Sequence, residues 1–171
     1  MDGAEVLGSD PDDEGSDEPS KGEAAESEGS PPTEADRSSE NPVVARFLDG
    51  KLIKGHTWNF SPNKPRFHVF PAAPDDADRP IEVWLKDLKA VFFVRDFAGS
   101  SQYEERKEFA EGDRAPGHTL EVTFVDGEVL VGSTLGYDPQ RLGFFLFPVD
   151  YESNNLRIFV VFAAVKKVHR V

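Results

Sequence analysis

Beyond residue 42 the chain is a succession of short apolar runs separated by turn residues. In LEVTF (120–124), Leu120, Val122 and Phe124 alternate with Glu121 and Thr123, which sends one face of a strand into a core and the other into water. VVARFLDGKLIKG (43–55) and LEVTFVDGEVLVG (120–132) each set Asp-Gly between two β-rich runs, at Asp49-Gly50 and Asp126-Gly127. That dipeptide tolerates positive φ and predicts a tight type I′ hairpin in both places. The pattern as a whole predicts strands near 43–48, 51–58, 66–71, 80–85 and 89–94, and a second set 77 positions later.

Three runs break the alternation: AVFFV (90–94), GFFLFP (143–148) and IFVVFAAV (158–165). Consecutive apolar side chains point to both faces of a strand, so either both faces are covered or one is offered to another surface. A unit this small is marginal alone, so packing of two units on one another is the first expectation. A partner surface or a homodimer is the second.

Residues 43–94 align on 120–171 without a gap, with 14 of 52 positions identical, among them Phe47/Phe124, Gly55/Gly132, Pro62/Pro139, Phe67/Phe144 and Lys89/Lys166. An ungapped register of that length predicts an internal duplication of one β-unit. Gly55 and Gly132 fall inside predicted strands, where a glycine marks a sharp bend or a close backbone approach. The intervening segment, 95–119, is polar. Ser101 followed by Glu104 is a capping-box pattern, and YEERKEFAE (103–111) predicts a short surface helix ended by Gly112.

Charge changes the picture only at the N-terminus. The formal net charge is −13, but residues 1–42 hold 14 acidic and 2 basic residues, so the remaining 129 sum to −1. With Val6 and Leu7 as its only large aliphatics, that stretch cannot bury enough apolar surface to offset the entropy of ordering it, and residues 1–42 are expected to be a disordered acidic tail. It serves as a solubilising leader or as an arm for a basic surface. The start carries no basic region followed by an apolar stretch, and no apolar run is long enough to span a bilayer, so a cytoplasmic location without membrane association is expected.

The spacing Gly127, Gly132, Asp138, with Tyr137 before the aspartate, resembles the first motif of Sm-like proteins. The first copy keeps Gly50 and Gly55 but has Ser61 at the aspartate position. The resemblance implies two tandem five-stranded Sm/SH3-like β-barrels, at 43–94 and 120–171. It does not extend to the RNA contacts: Pro139-Gln140-Arg141-Leu142 offers no asparagine, and Leu88-Lys89-Ala90 or Val165-Lys166-Lys167 stand where Arg-Gly would be. ARFLDGKLIKG, LKDLKAVFFVRDF, GYDPQRLGFFLFP and NNLRIFVVFAAVK are similar to a bacterial domain of unknown function, itself like modules found beside PilZ and other signalling domains. That likeness implies a setting in bacterial signalling or regulation. The arginine-rich cyclic-dinucleotide pattern of PilZ domains is absent.

No chemistry stands out. The chain has no cysteine, which removes thiolate metal sites and Cys nucleophiles. His56, His68, His118 and His169 are not at metal-ligand spacing, although His56 and His68 fall on strands expected to be neighbours. Asp49, Asp75, Asp76, Asp78, Asp126 and Asp138 sit in predicted turns, which accounts for them without acid/base work. No nucleophile elbow or phosphate loop occurs, so neither an enzyme, a cofactor nor a metal is expected. The aromatic content, 14 Phe, 3 Tyr and 2 Trp, favours a protein-binding module. Trp58, Trp84, Phe92, Phe93 and Tyr137 are its candidate surface, because each differs between the copies or adjoins a variable loop. Nucleic-acid binding, through a basic patch of Lys51, Lys54, Lys64 and Arg66, is the competing reading.

Overall fold

The computed structural model describes residues 40–72 and 79–171. The expected tail, but for its last residues, and the turn aspartates Asp75, Asp76 and Asp78 lie outside them. Ten strands form in chain order: β1 (Asn41–Phe47), β2 (Leu52–Thr57), β3 (Arg66–Pro71), β4 (Ile81–Trp84), β5 (Leu88–Val94), β6 (His118–Phe124), β7 (Val129–Thr134), β8 (Gly143–Pro148), β9 (Asn155–Val161) and β10 (Val165–Arg170). Single 3-10 turns at Leu85–Asp87 and Phe162–Ala164 introduce β5 and β10. Alternation and turn chemistry therefore place the strands to within two residues or so.

The strands make one antiparallel sheet in the order β10-β6-β7-β8-β9-β5-β1-β2-β3-β4. The expectation of two closed barrels is corrected here. The fold is mostly β, but β5 and β9 pair with each other, from Ala90↔Val160 to Val94↔Asn155, and the sheet runs on through that junction instead of closing. The β6–β7 register, from His118↔Thr134 to Thr123↔Val129, repeats the β1–β2 register, Asn41↔Thr57 to Arg46↔Leu52, with 77 added to every residue.

The unbroken apolar runs find their reason at the junction. Two buried clusters lie on the sheet, and β5 and β9 serve both. Val91, Phe93, Phe159 and Val161 join Val43, Phe67, Val83 and Leu85 in one cluster. Ala90, Ile158 and Val160 join Leu120, Val122, Phe124 and Leu146 in the other. Strands with two covered faces have no use for alternation. Lys89 adds a polar clamp. Only 3% exposed, it donates to Asp126 and Glu128 of the β6–β7 hairpin and lies 4.5 Å above the Phe124 ring, while Arg46 reaches Glu128 at 3.0 Å. Its two carboxylate partners offset the cost of taking the ammonium out of water.

Local chemistry sets the turns and bends. Gly50 N–H donates to Phe47 O at 3.1 Å, Phe47 N–H donates to Lys51 O at 2.8 Å, and Gly50 has φ of 91°. Gly127 repeats this with Phe124 and Glu128. The hairpins are thus three-residue loops in which glycine takes the left-handed position after the turn, not the expected two-residue type I′ loops. Gly55 and Gly132 act as expected, since a Cβ at either would run into the carbonyl of Phe70 or Phe147 on the next strand. At these points β3 and β8 change neighbour: Phe70 and Pro71 pair with β2 while Arg66–Val69 pair with β4, and β8 divides likewise between β7 and β9.

The helix expected at 103–111 does not form. An isolated helix of that length is marginal in water, and side-chain anchors hold this segment otherwise. Asp150 accepts from the Tyr103 hydroxyl at 2.7 Å and from Arg106 N–H at 3.0 Å, and Arg106 pairs with Asp113 at 2.8 Å. These bonds hold the Asp150 carboxyl below its ordinary value near 3.8, chiefly through the Arg106 amide and then the Tyr103 hydroxyl. They push the Tyr103 phenol up to about 12, chiefly through its bond to Asp150. Because the folded value of Asp150 is depressed, its contribution is present above the ordinary value and lost as pH falls through the folded one. The Tyr103 contribution is complete below pH 10 and lost as pH rises toward 12. Tyr103→Phe is therefore expected to remove, from a spectrophotometric titration of the native protein, a phenol that ionises near 12. Loss of a step near 10 instead would contradict the Asp150 latch.

Candidate functional site

The loop between β7 and β8 exposes three large apolar side chains, Leu135, Tyr137 and Leu142. It is well tied: the Thr134 hydroxyl donates to Gly136 O at 2.9 Å, Asp138 Oδ1 accepts from Gln140 N–H at 3.0 Å, and Arg141 N–H donates to Asp138 O at 3.1 Å. On this frame Tyr137 sets its ring edge-on to Phe144 at 5.2 Å and Phe162 at 5.5 Å, with 43% of the residue open to solvent. Leu135 and Leu142, at the two ends of the loop, are also exposed.

Opposite stands Trp84 at the end of β4, 36% exposed. Glu82 accepts from its indole N–H at 2.9 Å, and the Arg66 guanidinium and Lys86 ammonium lie 5.3 and 5.7 Å from its ring. Such cation–ring contacts contribute about 0.5–1 kcal/mol at exposed sites and fix the plane of the indole. Leu85 N–H donates to Pro65 O at 2.9 Å, and Phe162 N–H donates to Leu142 O at 3.0 Å, which anchors both walls by backbone.

Two clefts open beside Arg141. One, about 350 Å³, runs between Trp84, Leu85 and Lys86 on one side and Leu142, Phe162 and Ala163 on the other. The second, about 430 Å³, lies under Leu135–Asp138 and is floored by Phe144, Phe145 and Phe159, with Pro62 at its side. Arg141 lines both. The lining is ring faces and aliphatic carbon with a rim of Arg66, Lys86 and Arg141 against Glu82 and Asp138, a surface fit for apolar side chains presented by another molecule.

Residues 39–171 match the model of a family of unknown function, DUF6982. The chain belongs to this family. No curated protein and no solved structure matches the chain. The DUF6982 region thus takes in all ten strands and both walls of the cleft. No helix among its described residues is long and apolar enough to cross a membrane.

Of the five aromatic candidates in the DUF6982 domain, the structure sets Trp84 on the first cleft and Tyr137 on the second. The other three are buried or half-buried. Phe93 is buried among the residues of the first cluster, Phe92 lies against the second, and Trp58 stacks on Phe70 at 4.0 Å. The four basic candidates do not converge. Lys54, whose carbonyl accepts from Ala72 and whose ammonium donates to Phe97 O at 3.4 Å, lies at the far end of β3 from Arg66. Six residues of strand span about 20 Å. Lys64 lies in the β2–β3 connection and Lys51 at the β1–β2 hairpin, while Arg66 is bound to Glu82 at 3.3 Å. His56 packs on Phe97 and the His68 ring meets the Asn59 amide at 2.9 Å. Leu142 and Arg141 were not among the expected residues. Leu142 aligns with Pro65 of the first copy, a difference of the same kind as that between Trp58 and Leu135.

Proposed function

We propose that this DUF6982 domain is a non-enzymatic, protein-binding module of bacterial signalling or regulation, built by internal duplication of an Sm-like five-stranded unit and working in the cytoplasm. The observation that carries the binding reading is the pair of clefts that share Arg141, one with exposed Trp84 and Leu142 from the two halves of the chain, the other with exposed Tyr137. Separated apolar residues on a surface need no explanation, but aromatic side chains grouped around a concave opening with an arginine at its centre have the composition of a binding hot spot. The shared 77-residue offset of the two hairpin registers supports the duplication. An apolar segment fits these walls best.

The test is capture of partners by the tagged full chain, after nuclease digestion, beside the same chain carrying Leu142→Lys. Both wild-type residues of the pair Leu142 and Trp84 are exposed, so the substitution is expected to leave stability within about 0.5 kcal/mol. The wild type retains a protein after digestion and the variant loses it. Partners that vanish with nuclease in both would favour nucleic-acid binding. Partners retained equally by both would place the binding surface elsewhere.

A further inference from the structure

We infer that a second copy of this chain adds to the sheet head to tail, its β10 edge against the β4 edge of the first. The sheet already contains one such joint. At its centre β5 pairs antiparallel with β9. With 77 subtracted, Ile158–Val161 of β9 become Ile81–Trp84, the whole of β4; with 77 added, the residues of β5 become those of β10 and Val171. The two strands left at the ends of the sheet are therefore the counterparts of the two that pair in its middle. Among the described residues no strand pairs with the outer edge of either. A joint whose two sides are different surfaces leaves one of each unfilled, and both remain on this chain.

Carried over, the internal register sets Lys167 opposite Val83, Val168 opposite Glu82 and His169 opposite Ile81. Glu82 then shares a face with Val168 and lies diagonally from Arg170, a separation of about 7–8 Å that long side chains bridge. Glu82 and Arg170 are both exposed, Arg170 also meeting the His118 ring at 2.8 Å within its own copy. The backbone is oriented for the same contact. Val171 N–H donates inward to Thr119 O at 3.1 Å, so by strand alternation the amides of Arg170 and Val168 face outward. The run of cations on β10 keeps that edge from pairing with strands in general, and an edge carrying a carboxylate at the Glu82 position suits it. Pro80 limits the ladder to the length of β4. The interface is accordingly short, polar and salt-sensitive.

Sedimentation velocity and light scattering on the full chain, from about 1 to 100 µM at low salt, read the assembly. The expected mass rises with concentration beyond one chain. It falls back when salt is raised from about 0.1 M to about 1 M, as the screening length drops from about 10 to about 3 Å. Glu82→Lys and Arg170→Glu, made singly, each weaken association about tenfold or more. Together in one chain they restore it, because the swapped charges meet again between copies. Thermal melts confirm that each variant is folded. A single-chain mass throughout overturns the inference. So does a dimer that Glu82→Lys leaves intact, since that copy would be joined through another surface, and so does failure of the double variant to recover.

Discussion

Replacing Gly55 by alanine is expected to destabilise the fold by about 3 kcal/mol, at the upper end of what overpacking usually costs. For a domain of this size that lowers Tm by about 10 °C. Nothing in the glycine's own conformation demands it, for its φ is not in the left-handed region. The reason is the neighbouring strand. A Cβ there would meet the Phe70 carbonyl carbon at 2.7 Å and Val69 Cγ1 at 2.8 Å, with the carbonyl oxygen nearer still. Backbone cannot step aside as the end of a side chain can, so β2 and β3 would have to separate where Gly55↔Pro71 and His56↔Phe70 are their register pairs. Gly132→Ala meets the same obstacle from Phe147 and, at 2.7 Å, from Leu146 Cγ. Gly136 is the control, for it has nothing within 4 Å and no positive φ, and alanine there is expected to change Tm little. Thermal melts of the three variants check this, and a Gly55→Ala variant as stable as Gly136→Ala would remove the close strand crossing from the account.

Phe159→Ala is expected to cost about 3–5 kcal/mol, the range for emptying the site of a buried phenylalanine. Phe159 is fully buried, and its ring lies 5.1 Å from Phe60 and 5.2 Å from Phe145. Its strand belongs to the second half of the chain but its side chain belongs to the cluster formed by the first. The loss therefore falls on both. Urea unfolding of the wild type should show one transition, and Phe159→Ala should shift the whole of it. A variant that unfolds in two steps, with only one of them weakened, would mean that the halves are stable separately and that the β5–β9 junction contributes little.

Strand positions were legible because alternation and Asp-Gly turns are local signals. The Gly55 and Gly132 bends were legible as well, since an in-strand glycine has few other uses. The helix over 103–111 was misread because propensity and a capping pattern were local, whereas the Tyr103 and Arg106 anchors on Asp150 lie more than 40 residues away. Barrel closure was misread for a related reason: β5 and β9 are more than 60 residues apart in sequence and meet only in three dimensions. A sign of it was present in the sequence. AVFFV and IFVVFAAV are doubly apolar because each is covered on both faces, whereas the counterpart of Phe92-Phe93 at the sheet edge is His169-Arg170. Differences between the copies thus record position in the sheet as much as specialisation, and they include buried Phe93 as well as exposed Trp84 and Tyr137.

Site-specific photo-crosslinking in cells tests the protein-binding cleft most directly. A photoreactive phenylalanine analogue replaces Leu142 in the cleft or, as control, exposed Val125 at the β6–β7 hairpin. The account predicts an adduct at 142 with a different protein, resistant to nuclease, absent at 125 and lost when Trp84→Ser removes the facing wall. An adduct with nucleic acid, or equal protein adducts at both positions, would contradict it.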